Sequence, residues 1–114
     1  MKKLIFVLMV LCASIVSAQT KYSIYATHSA DWNGSNWVYG EIHKNTMTLT
    51  LHGKTVLVND QASSSYYCYK EIDSTSFYAF DEKNKKCIVY FDVADGHAYM
   101  GVMYTTFLIR YYYL

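Results

Sequence analysis

Residues 65–93, SYYCYKEIDSTSFYAFDEKNKKCIVYFDV, determine how the rest of the chain is interpreted. The stretch contains three runs of alternating or continuous apolar residues, and polar segments separate these runs. Alternation with a period of two is typical of β-strands, and a short continuous apolar run is typical of a central strand. Because no helical period appears after residue 19, the sequence predicts an all-β protein.

Turn dipeptides divide the remaining sequence into further strands. Asn33-Gly34 and Asp95-Gly96 are strong hairpin signals, because both central residues of a type I′ turn need a positive φ. Lys44-Asn45 and Gly53-Lys54 are interpreted as two more tight turns. The predicted strands are residues 21–27, 37–43, 46–52, 55–59, 66–72, 77–80 and 87–93, and residues 99–114 form one long strand with a bulge or two strands.

Two-residue turns fix the register between neighbouring strands, and here each register gathers apolar residues on one face. The predicted fold is therefore an antiparallel meander of eight to nine short strands. This meander forms either a small barrel or a two-layer sandwich. The predicted pairs are Ile42–Met47, Gly40–Leu49 and Val38–Leu51 across residues 44–45, Leu51–Val56 and Leu49–Val58 across residues 53–54, and Val93–Ala98, Phe91–Met100 and Val89–Val102 across residues 95–96.

Residues 1–18 have the features of a cleavable signal peptide. Two lysines precede an unbroken apolar run over residues 4–11, and residues 16–18 supply small side chains at the cleavage position. We therefore expect the mature chain to begin at Gln19, with residues 19–114 as a single β domain and no integral membrane segment. The expected location is periplasmic or extracellular.

Charge and aromatic content narrow the classes of partner. Removing 18 of the 114 residues leaves 8 lysines and arginines against 9 aspartates and glutamates, a net charge of −1. This balance argues against a nucleic-acid partner, because phosphate binding needs a basic face. The 13 tyrosines are typical of half-buried sheet surfaces, where the ring packs and the hydroxyl reaches water or a partner.

Cys68 and Cys87 are the cysteines outside the signal peptide. In an exported protein we expect them to form a disulfide. In a flat meander, however, the sixth strand lies between them, and two strand spacings of about 9.6 Å exceed the ~7 Å limit between bonded Cα atoms. The disulfide therefore requires the sixth strand to end before Asp81, or the flanking strands to lie on facing layers. Two buried, reduced cysteines are the alternative.

No combination of residues predicts catalysis, a metal site or a cofactor. The four histidines lack metal-binding spacings, and most aspartates fall at turns, where they bond to the backbone. Glu41 and Asp92 lie inside predicted strands without an evident partner. The sequence therefore favours a protein that is not an enzyme, and a hydrolase is the least favoured class.

One aromatic patch points to binding. In the predicted register Trp32, Trp37, Tyr39 and His52 cluster near the first hairpin, on the face opposite the apolar set. Exposed aromatic residues are enriched at binding surfaces, although such rings also pack a second sheet layer. We therefore expect a non-catalytic exported binding or interaction module whose partner is another protein or a carbohydrate. An unpaired, tyrosine-rich last strand would also allow a homodimer.

A second hypothesis comes from a short resemblance. Ala62-Ser63-Ser64-Ser65-Tyr66 resembles the serine-rich loop that leads into a tyrosine in periplasmic lysozyme inhibitors, which are small β-barrels. The resemblance covers these five residues, and the chain lacks the glycine that this loop carries after its first serine. It implies a small secreted or periplasmic enzyme inhibitor that acts through residues 60–66.

Overall fold

The fold is a closed barrel of eight antiparallel strands in chain order, as given by a computed structural model that describes residues 19–59 and 63–114. The all-β meander is therefore confirmed. The predicted signal peptide and residues 60–62 lie outside the described residues. The strands are β1 (Gln19–Trp32), β2 (Trp37–His52), β3 (Thr55–Asn59), β4 (Ser63–Asp73), β5 (Ser76–Asp81), β6 (Lys86–Ala94), β7 (His97–Met103) and β8 (Phe107–Tyr113).

The barrel interior is filled by the inward-facing residues of each strand. Val89, Met100 and Val102 have no exposed surface, and among the described residues they belong to one cluster of 17 buried side chains. The predicted pairs across residues 53–54 and 95–96 are confirmed. Asp95 has a φ of 51° and Gly96 a φ of 78°, as a type I′ turn requires. The core is therefore held in the register that the turn residues specify.

The predicted turn at Lys44-Asn45 is wrong. β2 continues through it and pairs with β1 from Trp37 to His52, so Ile42 faces His28 rather than Met47. The register shifts twice along this pair, which marks bulges in β2. The Asn45 side-chain amide donates to the Thr27 Oγ1 at 2.7 Å, so the polar side chain that suggested a turn anchors the strand instead.

The barrel closes where β1 pairs with β8. Residues 99–114 contribute to two strands, because the chain turns between Met103 and Phe107. β8 pairs with β7 on one side and β1 on the other, so the last strand is not an open edge, and the homodimer predicted through it is not supported. Among the residues that the structure describes, no helix has the length and apolar character to cross a membrane.

The two cysteines are buried thiols that form no disulfide in this structure. Ala79 of β5 pairs with Cys68 on one side and Cys87 on the other. β5 therefore separates the cysteines by two strand spacings, about 9.6 Å, and it extends to Asp81, so neither condition for the disulfide is met.

We expect thiol labelling to find two reduced cysteines in the mature chain. In the native state labelling should be slow, because burial and the nearby charge of Asp81 raise the pKa of the Cys87 thiol to about 11. In denaturant without reductant, mass spectrometry after maleimide treatment should show two added labels. Two labels that appear only after reduction would instead demonstrate a disulfide.

Candidate functional site: an aromatic groove

An apolar row crosses the outside of the barrel. Tyr78, Ile88, Met103 and Leu108 are successive cross-strand partners on β5, β6, β7 and β8. Ala30 of β1 extends the row beside Leu108, and Tyr39 of β2 completes it. The immediate chain neighbours Phe77, Val89 and Val102 belong to the core, so strand alternation directs this row outward. Ala30 and Leu108 are themselves buried, so the accessible part of the row is Tyr39, Tyr78, Ile88 and Met103. This apolar surface is a candidate binding surface.

Two adjoining depressions of about 420 and 560 Å³ lie over this row. Both are lined by Trp37, Ile88 and Met103, so we treat them as one site, the aromatic groove. The residues that define the aromatic groove are Trp32, Trp37, Tyr39, Tyr69, Ile72, Tyr78, Ile88, Tyr90, Met103 and Leu108.

The tip of the β1–β2 hairpin supplies both tryptophans. Trp32 and Trp37 are cross-strand partners whose ring centroids are 5.3 Å apart at an interplanar angle of 64°. The Asn33 side-chain oxygen accepts the N–H groups of Ser35 and Asn36, and Gly34 takes a φ of 101°. The Trp32 N–H donates to the carbonyl of Thr106 at 3.0 Å, which ties the tip to the β7–β8 turn. The tryptophans are therefore presented by an anchored hairpin.

Tyr39 is held by the only arginine of the chain. The Arg110 Nη2 donates to the Tyr39 hydroxyl at 2.9 Å, and its Cζ lies 4.8 Å from the Tyr39 ring centroid and 4.5 Å from that of Tyr99. His28 contacts the Tyr39 ring at a centroid distance of 4.9 Å, and its Nε2 donates to the Gly40 carbonyl. These contacts fix Tyr39 before any ligand arrives, which lowers the entropy cost of binding.

Stacked rings form the remaining walls. The centroid of the Tyr69 ring lies 4.6 Å from that of Phe80 and 6.3 Å from that of Tyr78, both at an interplanar angle of 25°, so Tyr69 of β4 stacks on two rings of β5. The Tyr90 ring lies over Gly101 and meets Tyr99 edge-on at 6.0 Å. Burial is the main cause of the raised pKa of Tyr99, which lies at about 12, so its hydroxyl stays protonated at neutral pH.

The structure brings together three of the four predicted patch residues. Trp32, Trp37 and Tyr39 all line the aromatic groove. His52 does not, because β2 runs without a turn and places His52 at its far end, opposite Gln19 and Thr55. The prediction that His52 clusters with Trp32, Trp37 and Tyr39 near the first hairpin is therefore wrong.

Sequence reasoning missed the opposite wall of the groove. Tyr78 and Ile88 alternate with the core residues Phe77 and Val89, and this alternation already indicated that they face outward. What the sequence did not show is that the hairpin tip lies beside them, because that proximity depends on the closure of the barrel.

The serine-rich segment is not an exposed loop where the structure describes it. Ser63, Ser64 and Ser65 belong to β4 and pair with β3. Tyr66 is buried, and burial together with a hydrogen bond to Tyr111 raises its pKa. The Tyr66 side chain is therefore held in the interior, and the enzyme-inhibitor hypothesis stays a prediction.

The groove is suited to contact rather than to acid–base chemistry. Among the described residues no carboxylate or histidine lines either depression, and Lys86 is the charged residue at the margin. Within residues 19–59 and 63–114, no group of three or more histidine, cysteine, aspartate or glutamate side chains has a geometry that could hold a metal ion. The site offers flat rings, branched apolar side chains and tyrosine hydroxyls.

Comparison with models of protein families, with curated proteins and with solved structures found no match.

Proposed function

We propose that this protein is a non-catalytic, exported binding module that takes an apolar segment of another protein into the aromatic groove. The observation that carries the proposal is the convergence of both tryptophans with Tyr39, Ile88 and Met103 on one outer face. Tryptophan, tyrosine and methionine are enriched at protein interfaces, and tryptophan and tyrosine dominate their binding energy.

The polar groups of the groove favour a protein over a carbohydrate. Its hydrogen-bonding side chains are Ser76, Thr105, Lys86, the tyrosine hydroxyls, the indole N–H groups of both tryptophans and the weakly bonding Cys87 thiol. In the part of the chain that the structure describes, no aspartate, glutamate, asparagine or glutamine lines it. A sugar presents hydroxyl groups around its whole ring, and each one buried without a partner costs free energy. An apolar peptide side chain makes no such demand, and Met103 can adapt its shape to it.

Intrinsic fluorescence tests this proposal, because both tryptophans of the chain lie in the groove. We expect short peptides with aromatic or branched apolar side chains to shift the emission in a saturable way, whereas soluble oligosaccharides should not. Trp37→Ala, read through Trp32, should weaken peptide binding about tenfold or more, as for a central aromatic contact.

Tyr67→Ala is the matched control, because Tyr67 is 50% exposed on β4 and does not line the groove. It should leave peptide affinity unchanged. A saturable response to oligosaccharides alone would replace the protein ligand with a carbohydrate. Equal losses in the Trp37 and Tyr67 variants, or no response to any peptide, would argue against the groove as the binding site.

A further inference from the structure

A third depression, of about 360 Å³, lies on the outside of the barrel along the seam between β1 and β8, and we call it the seam depression. Arg110 and His28 are cross-strand partners, and both line it. Tyr111, the chain neighbour of Arg110, belongs to the core, so strand alternation directs Arg110 outward. Its Nη2 donates to the hydroxyl of Tyr39, which lines the aromatic groove. This hydrogen bond of 2.9 Å therefore connects the two sites.

The charge of Arg110 is not matched by a carboxylate. Its Nη1 donates to the Tyr112 hydroxyl at 3.3 Å, so the hydrogen bonds from both Nη atoms are to tyrosine hydroxyls. Its Nε is buried and has no hydrogen-bond partner within residues 19–59 and 63–114, and no carboxylate of these residues forms an ion pair with it. A guanidinium is always charged and has five N–H donors, so Arg110 has donors left for an anion.

The charges around the seam depression favour an anion at the Arg110 end. Lys44 is the cross-strand partner of Ala26, which lines the depression, so a second positive charge lies at its margin. Asp95 also lines it, but Asp95 lies in the turn before β7. Gly101, the partner of Arg110, is four residues from the start of β7, roughly 13 Å along the strand. The carboxylate of Asp95 therefore belongs to the far end.

We infer that Arg110 binds the C-terminal carboxylate of the protein segment whose apolar side chain occupies the aromatic groove, an inference that rests on the proposed function. The carboxylate of a terminal residue lies within one residue spacing, about 3.3–3.6 Å, of the side chain beside it. A side chain packed against Tyr39 thus brings its own carboxylate to Arg110. In an extended segment, the next side chain on the same face is two residues away, roughly 7 Å, so an internal acidic residue fits this spacing less well.

Peptide pairs that differ only at the C-terminus test the inference by tryptophan fluorescence. Each peptide ends in leucine or phenylalanine and is made as the free acid and as the amide. The acid should bind the wild-type protein about tenfold more tightly, because a charge-assisted hydrogen bond to arginine is stronger than a neutral one. The preference should shrink as salt is added, since partly exposed charges are screened.

Arg110→Ala should remove the preference, so that acid and amide bind equally. Tyr39→Phe breaks the same Arg110–Tyr39 hydrogen bond but keeps the cation, and it should keep the preference. Lys70→Ala is the matched control for the loss of one positive charge, because Lys70 is exposed on β4 and lines neither site. It should bind both peptides as wild type does.

The wild-type comparison decides the inference even if Arg110→Ala does not fold. Equal binding of acid and amide would overturn it and leave the proposed function standing, and so would a preference that survives Arg110→Ala. An amidated peptide with a glutamate two residues before its end serves as a third ligand. If it binds as tightly as the free acid, the anion is an acidic side chain and the C-terminal assignment is wrong. No binding of any peptide would overturn the inference together with the proposed function.

Discussion

Replacing Asp81 with alanine is expected to lower the free energy of unfolding by about 3 kcal/mol, one of the largest effects of any single polar substitution in this chain. Asp81 is a buried carboxylate at the end of β5. Its Oδ1 accepts the N–H groups of Lys83 at 2.9 Å and Lys85 at 2.8 Å, and its Oδ2 accepts the Tyr104 hydroxyl at 2.7 Å. Alanine leaves all three donors without this acceptor. Urea unfolding followed by circular dichroism measures the loss.

Lys83→Ala separates the role of the carboxylate from that of the turn. Lys83 contributes its backbone N–H to Asp81, and its side chain is exposed, so this variant should lie within about 0.5 kcal/mol of wild type. Asp81→Ala with the stability of wild type would show that the turn does not need the carboxylate.

Lowering the pH should remove the stabilisation that the Asp81 carboxylate provides. Burial opposes the charge of Asp81, but hydrogen bonds from Tyr104, Lys85 and Lys83 outweigh it and hold the pKa below its usual value. The unfolded pKa is about 3.9, so the contribution is complete above that pH and disappears as the pH falls through the lower, folded pKa. As the pH is lowered through this range, the urea midpoint of Asp81→Asn should fall less steeply than that of wild type. The pKa of Asp73 is also lowered, but both proteins contain Asp73, so the difference between them reports on Asp81.

The effect of Gly101→Ala on the free energy of unfolding is expected to depend on residue 90. The substitution should destabilise the wild-type protein and stabilise the Tyr90→Ala variant. A Cβ at Gly101 would collide with Cζ of the Tyr90 ring, so the ring must leave the face of β7. In the wild-type background we expect the free energy of unfolding to fall by about 2 kcal/mol, which is typical of adding atoms to a site that is already packed. In a Tyr90→Ala background the ring is gone, and the same change should stabilise by about 0.5–1 kcal/mol, because alanine is less flexible than glycine in the unfolded chain.

A double-mutant cycle measured by urea unfolding gives both values and their coupling. Gly40→Ala is the control for the general effect of removing a glycine, since its Cβ would meet nothing closer than the Ser29 carbonyl at 3.9 Å. Equal losses at Gly101 with and without the Tyr90 ring would show that the ring is not what requires the glycine.

Local rules predicted the turns that need a special backbone conformation. Gly53 and the Asp95-Gly96 pair have positive φ, and both hairpins formed in the expected register. Lys44-Asn45 is also a polar pair of the kind found in tight turns, but neither residue has a positive φ. Its asparagine found a partner on β1, and this side-chain bond, which no sequence pattern specifies, allowed β2 to continue.

The sequence predicted only the part of the candidate site that lies on the β1–β2 hairpin. Trp32, Trp37 and Tyr39 share the β1–β2 ribbon, so local pairing was enough to group them. Ile88 and Met103 belong to strands remote in sequence, and closure of the barrel alone brings them beside the hairpin. The misplacement of His52 follows directly from the turn that does not form.

The pairing of β1 with β8 joins the two ends of the domain, with Ile24 opposite Tyr113. A contact that spans almost the whole sequence forms late and slowly, because the intervening chain must be ordered or looped first. During synthesis the barrel therefore stays open until the final strand has left the ribosome. For the export proposed above this delay is an advantage, because a chain that crosses a membrane in an extended state must not close before its translocation is complete.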